Sequence, residues 1–197
     1  MNDMGSHFFA MMSRMKYIER WALMRNSEKE NISEHSLEVA MLAHVLAVLG
    51  NRRLGKHYDP ARAALIGIYH DANEIITGDM PTPVKYYSLE MQNLFHGIED
   101  KAAESLLSML PEDIRDEYRG LFFPTGEDAA LKPLVKAADK LSALIKCIEE
   151  GKAGNREFDQ ARRTIQTSIE EMQVEEARIF LTEFLPSYEK TLDEISR

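Results

Sequence analysis

Between Asn31 and Arg53, side chains recur at three- and four-residue spacing on two stripes at once. Leu37, Met41, His44 and Val48 form one, and Val39, Leu42, Leu46 and Leu49 the other. A helix apolar on most of its sides has to be surrounded, so this segment is expected at the centre of the fold. The rest of the chain reads the same way, with helical spacing throughout and no convincing alternating strand. The expectation is an all-α fold, a helical bundle in one domain spanning residues 1–197.

Punctuation divides the bundle. Ser6 is a candidate cap for a first helix running to about Met24, and Asn31 to Ser33 open the central one. Asp59-Pro60, a cap followed by a proline at the first helical position, starts a third helix that carries Leu65, Ile68 and Tyr69 into His70-Asp71. Gly78 ends it, and the loop Gly78-Asp79-Met80-Pro81-Thr82-Pro83 is restricted by its two prolines. Ser88 begins a helix to about Leu110, and Pro111 starts a short one. Asp128 to Glu150 forms another, with Leu134, Ala138, Leu141, Ile145 and Ile148 inward. Two more run from Glu157 to Gln173 and from Glu175 to the end, the last kinked at Pro186.

Chemistry concentrates in a few residues. His70 and Asp71 are adjacent, and a neighbouring imidazole and carboxylate can both ligate one divalent metal. His35 sits at the start of the central helix, Glu74 three residues beyond Asp71, and Asp139 at the edge of an apolar stripe. Two His and two Asp make a mixed nitrogen and oxygen set. It suits Mn²⁺, Fe²⁺, Co²⁺, Ni²⁺ or Zn²⁺ better than Ca²⁺, and one cysteine excludes a thiolate site. Charged groups beside a core are costly, and one cation accounts for them jointly. His7, His44, His57 and His96 lack such company and read as structural or exposed.

Charge narrows the partners. With 24 basic and 33 acidic residues the net charge is −9, which argues against broad electrostatic binding of a nucleic-acid polymer. No uninterrupted apolar stretch approaches the ~20 residues of a membrane span. The N-terminus shows no basic region followed by an apolar one, and Cys147 alone excludes an intrachain disulfide. The expected location is the cytoplasm.

The order His35, His70-Asp71, Asp139 resembles the HD-domain superfamily of metal-dependent phosphohydrolases. Arg20-Trp21, Asn31 to His35, His70 to Glu74 and Ile76 to Pro83 together resemble its bacterial 5'-deoxynucleotidases, and the likeness covers nearly the whole chain. It implies one divalent metal, Co²⁺ or Mn²⁺ foremost, held by His35, His70, Asp71 and Asp139, with room for water and a substrate phosphate oxygen. The implied reaction is hydrolysis of 2'-deoxyribonucleoside 5'-monophosphates by a homodimer, with coordinated water as nucleophile.

Further roles follow from the same resemblance. Glu74 is the implied acid or base, and Arg20 the cation that orients phosphate with its planar fork. Trp21 and Asp79 line the sugar, and the Met80-Pro81-Thr82 backbone completes that wall. His35, Asp71 and Asp139 border the substrate as well as the metal. Asn73, where the family also has smaller residues, departs without expected consequence. Other phosphohydrolases of the superfamily, acting on nucleoside triphosphates or guanosine tetraphosphate, fit the Arg20-Trp21 pair and the Asp79 loop less well. A binding module that has lost catalysis fits the retained Glu74 poorly.

Overall fold

The computed structural model describes residues 5–85 and 87–196. Of the N-terminal segment read for a secretory signal, residues 1–4 lie outside the described residues. Among those described there is no strand, only a single antiparallel bridge between Glu19 and Asn31.

Three helices build the centre, and local chemistry starts two of them. In α2 (Ile32–Arg53) the Asn31 side chain accepts from the Ser33 and Glu34 amides, while Glu34 returns a bond to the Asn31 amide. Such a reciprocal cap contributes about 1 kcal/mol. In α3 (Pro60–Tyr69) Asp59 accepts from the Arg62 amide and Pro60 opens the helix. Helix α8 (Lys132–Lys152) has Pro133 in its first turn. Val39, Leu42 and Leu46 of α2 meet Ala63 and Ile66 of α3 and Leu134, Leu141, Ile145 and Ile148 of α8 in one buried cluster. At Gly67 the helices nearly touch, since a Cβ there would stand 2.9 Å from Ala40 Cα. That approach brings the end of α3 against the start of α2.

Around this centre lie α1 (Phe8–Met12), α4 (Glu74–Thr77), α5 (Thr82–Lys85), α6 (Leu89–Ser108), α7 (Glu112–Phe122), α9 (Asp159–Glu171), α10 (Glu175–Glu183) and α11 (Leu192–Ile195). Ser88 caps α6 through the Met91 amide, as its position in the sequence suggests. Phe8 packs with Leu106, Leu107 and Leu110 in a second, smaller cluster.

Several expectations change. The first helix does not reach Met24: α1 tightens into a 3₁₀ turn at Ser13–Tyr17, and residues 18–31 form an irregular strap. Ser6 bonds the Phe8 amide but also gives its proton to the Met109 carbonyl, so it ties the N-terminus to α6 as well. Asp128 lies in a 3₁₀ turn ahead of α8. The final helix breaks at Phe184 into a 3₁₀ turn holding Pro186, leaving Leu192 and Ile195 exposed. The outer stripe of α2 is not covered either, with Leu37 and Met41 more than half exposed. By length and mean hydropathy α2 is the one described helix long and apolar enough to cross a membrane, although Glu34 and Glu38 interrupt its apolar run. More than half of its apolar window is buried within the domain.

Candidate metal centre

Four donors converge from the start of α2, the end of α3 and the body of α8. One ligand atom each from His35, His70, Asp71 and Asp139 lies within 4.8 Å of the others. His35 Nε2 stands 3.2 Å from Asp139 Oδ1 and 3.5 Å from Asp71 Oδ2, and His70 Nε2 stands 3.1 Å from Asp71 Oδ2. His35 is fully buried, whereas Asp139 is the most exposed of the four, so the cluster opens on its α8 side.

The far side of each imidazole sets its tautomer. His70 Nδ1 is 2.7 Å from the Gly67 carbonyl, which can only accept, so Nδ1 carries the proton. His35 Nδ1 is 3.0 Å from Ser142 Oγ, whose own proton goes to Glu38 Oε2 at 2.5 Å. Ser142 must therefore accept from His35. In the neutral imidazoles both inward Nε2 atoms carry lone pairs, and both are buried without a hydrogen-bond partner. Orphaned acceptors beside two carboxylates are what a divalent cation requires, so these residues fit one.

The charges in the cluster push one another. Burial disfavours the charged forms of His35 and Asp71. The Asp139 and Asp71 carboxylates overcome it and raise His35 to about 9, and the two imidazoles hold Asp71 well below the usual carboxylate range. Glu74 is raised to about 10, first by burial and then by repulsion from Asp71 and Asp79. Its Oε2 is buried with no partner. The Glu74 amide bonds the Asp71 carbonyl, which fixes the acid one tight turn from the cluster.

The strap delivers Arg20 and Trp21. Its ends pair, the Arg20 amide to the Glu30 carbonyl and the Ile32 amide to the Ile18 carbonyl. Its middle is anchored by Glu150 of α8, which accepts from the Ser27 and Glu28 amides and pairs with buried Lys146 at 2.6 Å. Those bonds hold the Glu150 carboxyl down at about 2 against the opposing effect of burial. Arg20 Nη1 reaches Asp71 Oδ2 at 3.3 Å. Burial works against the guanidinium charge, but Asp71, Asp139, Glu30 and Asp79 raise its pKa above the ordinary value.

Trp21 has a φ of +59°, a left-handed conformation costing about 1–3 kcal/mol for a bulky residue. Its amide donates to Asp79 Oδ2 at 3.3 Å, its carbonyl accepts from Met24 and Asn26, and its ring lies against buried Phe158. Asp79 is thus more than a turn residue, and burial raises its carboxyl. Gly78, with a φ of +72°, turns the chain toward it. Met80 and Pro81 follow half-buried, and Thr82 is exposed at the start of α5. Among the described residues no hydrogen bond joins their side chains to the cluster. Sequence reading passed over Gly67, Ser142, Glu38, Glu30 and the Lys146–Glu150 pair. Only Gly67, three residues before His70, stood close enough in the chain to be noticed.

The likeness to known proteins runs over most of the chain. The family model described as 5'-deoxynucleotidase YfbR-like matches residues 7–188. A 5'-deoxynucleotidase of Vibrio cholerae is 48% identical over 97% of this chain and 98% of its own. An HD-domain phosphohydrolase from Listeria innocua superposes with a TM-score of 0.78 at 22% identity, covering 92% of this chain and 88% of its own. The cyanophage S-2L HD phosphohydrolase DatZ, solved with dA and one catalytic Zn²⁺, gives 0.63 at 20% identity, over 92% of this chain and 96% of that one. The two structures share the fold, and the sequence match is specific: the chain belongs to the YfbR-like 5'-deoxynucleotidase family.

Proposed function

We propose a division of labour by which this 5'-deoxynucleotidase releases phosphate from 2'-deoxyribonucleoside 5'-monophosphates. The observation that carries it is the pair of buried, unpartnered nitrogens, His35 Nε2 and His70 Nε2, beside Asp71 and Asp139. Those four residues hold one divalent cation, and the mixed donor set favours a transition metal, Co²⁺ or Mn²⁺ foremost by resemblance. When bound, the ion makes its water acidic and draws charge from the phosphoryl oxygens.

The remaining work belongs to side chains. Arg20 spans the space between the strap and Asp71, and its planar fork meets two phosphoryl oxygens at once. Glu74, whose carboxyl burial pushes up, gives a proton to the departing 5'-oxygen as a general acid. Trp21 and Asp79 hold the sugar. Asp79 Oδ2 is occupied by the Trp21 amide, so its other oxygen takes the 3'-hydroxyl. A ribose 2'-hydroxyl then meets the ring of Trp21 or the backbone of Met80, Pro81 and Thr82, where crowding disfavours it.

The assembly we propose is a cytoplasmic homodimer with no nucleic-acid or membrane partner. Uncovered Leu37 and Met41 on α2, with Leu65 and Ile68 on α3, support a second copy as the occupant. The free, buried Cys147, its thiol pushed up by burial to about 12, suits a reducing compartment. The net charge of −9 suits neither a nucleic-acid nor an acidic lipid surface.

Two variants test the roles. Arg20→Ala lowers kcat/KM for dAMP and leaves metal affinity intact, and an unchanged kcat/KM removes Arg20 from phosphate binding. Asp79→Asn lowers the ratio of dAMP to AMP turnover, and an unaltered ratio returns Asp79 to a purely structural turn.

A further inference from the structure

One carboxylate oxygen joins the two substrate-facing residues of the strap. Glu30 Oε2 accepts from Arg20 Nε at 3.0 Å and from the Trp21 indole Nε1 at 3.0 Å, with the Glu30 and Arg20 side chains nearly buried. The pairing of strap ends through the Arg20 amide and the Glu30 carbonyl sets Glu30 beside Arg20, immediately ahead of the Asn31 cap of α2. The same helix carries His35 one turn later, so Glu30 is rooted in the element that holds the cluster.

Two consequences follow from the chemistry of the donors. An arginine held at Nε has a fixed guanidinium plane, and its terminal nitrogens remain for the Asp71 side, where Nη1 already lies. An indole has one N–H. Once Glu30 takes it, the rest of the Trp21 ring offers hydrocarbon only, and no donor is left to greet a ribose 2'-hydroxyl. One acceptor thus orients the phosphate ligand and keeps the sugar wall apolar.

We propose that Glu30 is a positioning residue that couples Arg20 to Trp21 and thereby contributes to selection of deoxyribose. The inference rests on the assignment of Arg20 to phosphate and Trp21 to sugar. It predicts that Glu30→Ala lowers kcat/KM for dAMP roughly ten- to a hundred-fold, as expected for loss of a charge-assisted bond. The dAMP to AMP ratio falls with it, while metal binding stays near the wild-type value. Glu30→Gln keeps an acceptor of the same shape and recovers part of both.

Trp21 is the single tryptophan, so its emission reports this position alone. The experiment compares wild type, Glu30→Ala, Glu30→Gln and, as a control on the strap, Lys29→Ala, whose exposed partner is Glu19. Each is measured for Mn²⁺ affinity by calorimetry, dAMP and AMP kinetics, and Trp21 emission with and without dAMP. Altered emission and a lower ratio in Glu30→Ala, with Mn²⁺ affinity unchanged and Lys29→Ala like wild type, support the proposal. Wild-type kinetics and emission in Glu30→Ala overturn it, as does a parallel loss of Mn²⁺ affinity in both Glu30 variants. If the wild type releases no phosphate from dAMP, the parent assignment falls instead. The dAMP-dependent change in emission then decides alone: lost in Glu30→Ala it supports the coupling, and equal in both it refutes it.

Discussion

Ser142 Oγ lies 3.0 Å from His35 Nδ1 and donates its own hydrogen bond to Glu38, so a serine on α8 fixes the proton on Nδ1 of a histidine on α2 and leaves Nε2 to face the cluster. This contact joins two elements of the core behind the cluster. Partners of this kind typically account for ten- to a hundred-fold in metal affinity. Ser142→Ala is expected to weaken Mn²⁺ binding in a calorimetric titration by that order, with kcat recovering at saturating metal. Unchanged affinity would show that His35 needs no partner at Nδ1.

In the metal-free fold Glu74 is raised to about 10 by burial and by Asp71 and Asp79, which favours its protonated form. Glu74→Gln preserves its volume and removes that proton. The expected result is a kcat lower by roughly 10²- to 10⁴-fold with metal affinity and KM little changed. Full turnover in Glu74→Gln would assign the leaving-group proton to another donor.

Stability should depend on pH in a direction set by two groups. His35 titrates at about 9 in the fold against 6.5 ordinarily, so its contribution is complete below 6.5 and lost as pH rises through 9. Glu74 keeps its proton to about 10 in the fold but releases it near 4.5 when unfolded, so rising pH favours the unfolded chain there too. Both act in the same sense. Metal-stripped protein is expected to melt at a lower temperature at pH 9 than at pH 6.5. A cation competes with the His35 proton, so the Tm gain on adding Mn²⁺ is larger at pH 9. A metal-free Tm that rises over this interval would contradict the assignment of both groups.

Gly67 serves packing and chemistry together. A methyl group there would stand 2.9 Å from Ala40 Cα, and the Gly67 carbonyl holds His70 Nδ1. Gly67→Ala should cost about 1–3 kcal/mol by forcing α2 and α3 apart. Mn²⁺ affinity should fall with it, because His70 and His35 ride on the separating helices. Lost stability with unaltered metal affinity would show that the helix separation is absorbed away from the cluster.

What the chain reveals before folding follows from which interactions are local. The caps at Asn31, Asp59 and Ser88 are satisfied within three residues, and the residues themselves announce them. His70-Asp71 is legible because the donors are adjacent, and His35 and Asp139 because imidazole and carboxylate are conspicuous on apolar helices. The start of the strap, to Met24, reads as helix in the sequence because Trp21 and Leu23 extend the apolar spacing past Tyr17. What overrides that spacing is remote: Glu150 accepts the Ser27 amide across 123 residues. Ser142 is equally silent, an ordinary serine until α8 brings it to His35 from 107 residues away. Glu30 stands in the sequence as one charge beside Glu28 and Lys29. Only the pairing of the strap ends makes it the neighbour of Arg20.

The measurement closest to the central claim is phosphate release from dAMP and AMP in parallel, using metal-stripped protein with and without added Co²⁺ or Mn²⁺ and a His70→Ala control. Metal-dependent release from dAMP well above AMP, absent in His70→Ala, is the predicted result. Release that persists without metal or in His70→Ala would contradict the four-ligand centre, and equal release from both nucleotides would contradict the sugar wall of Trp21 and Asp79.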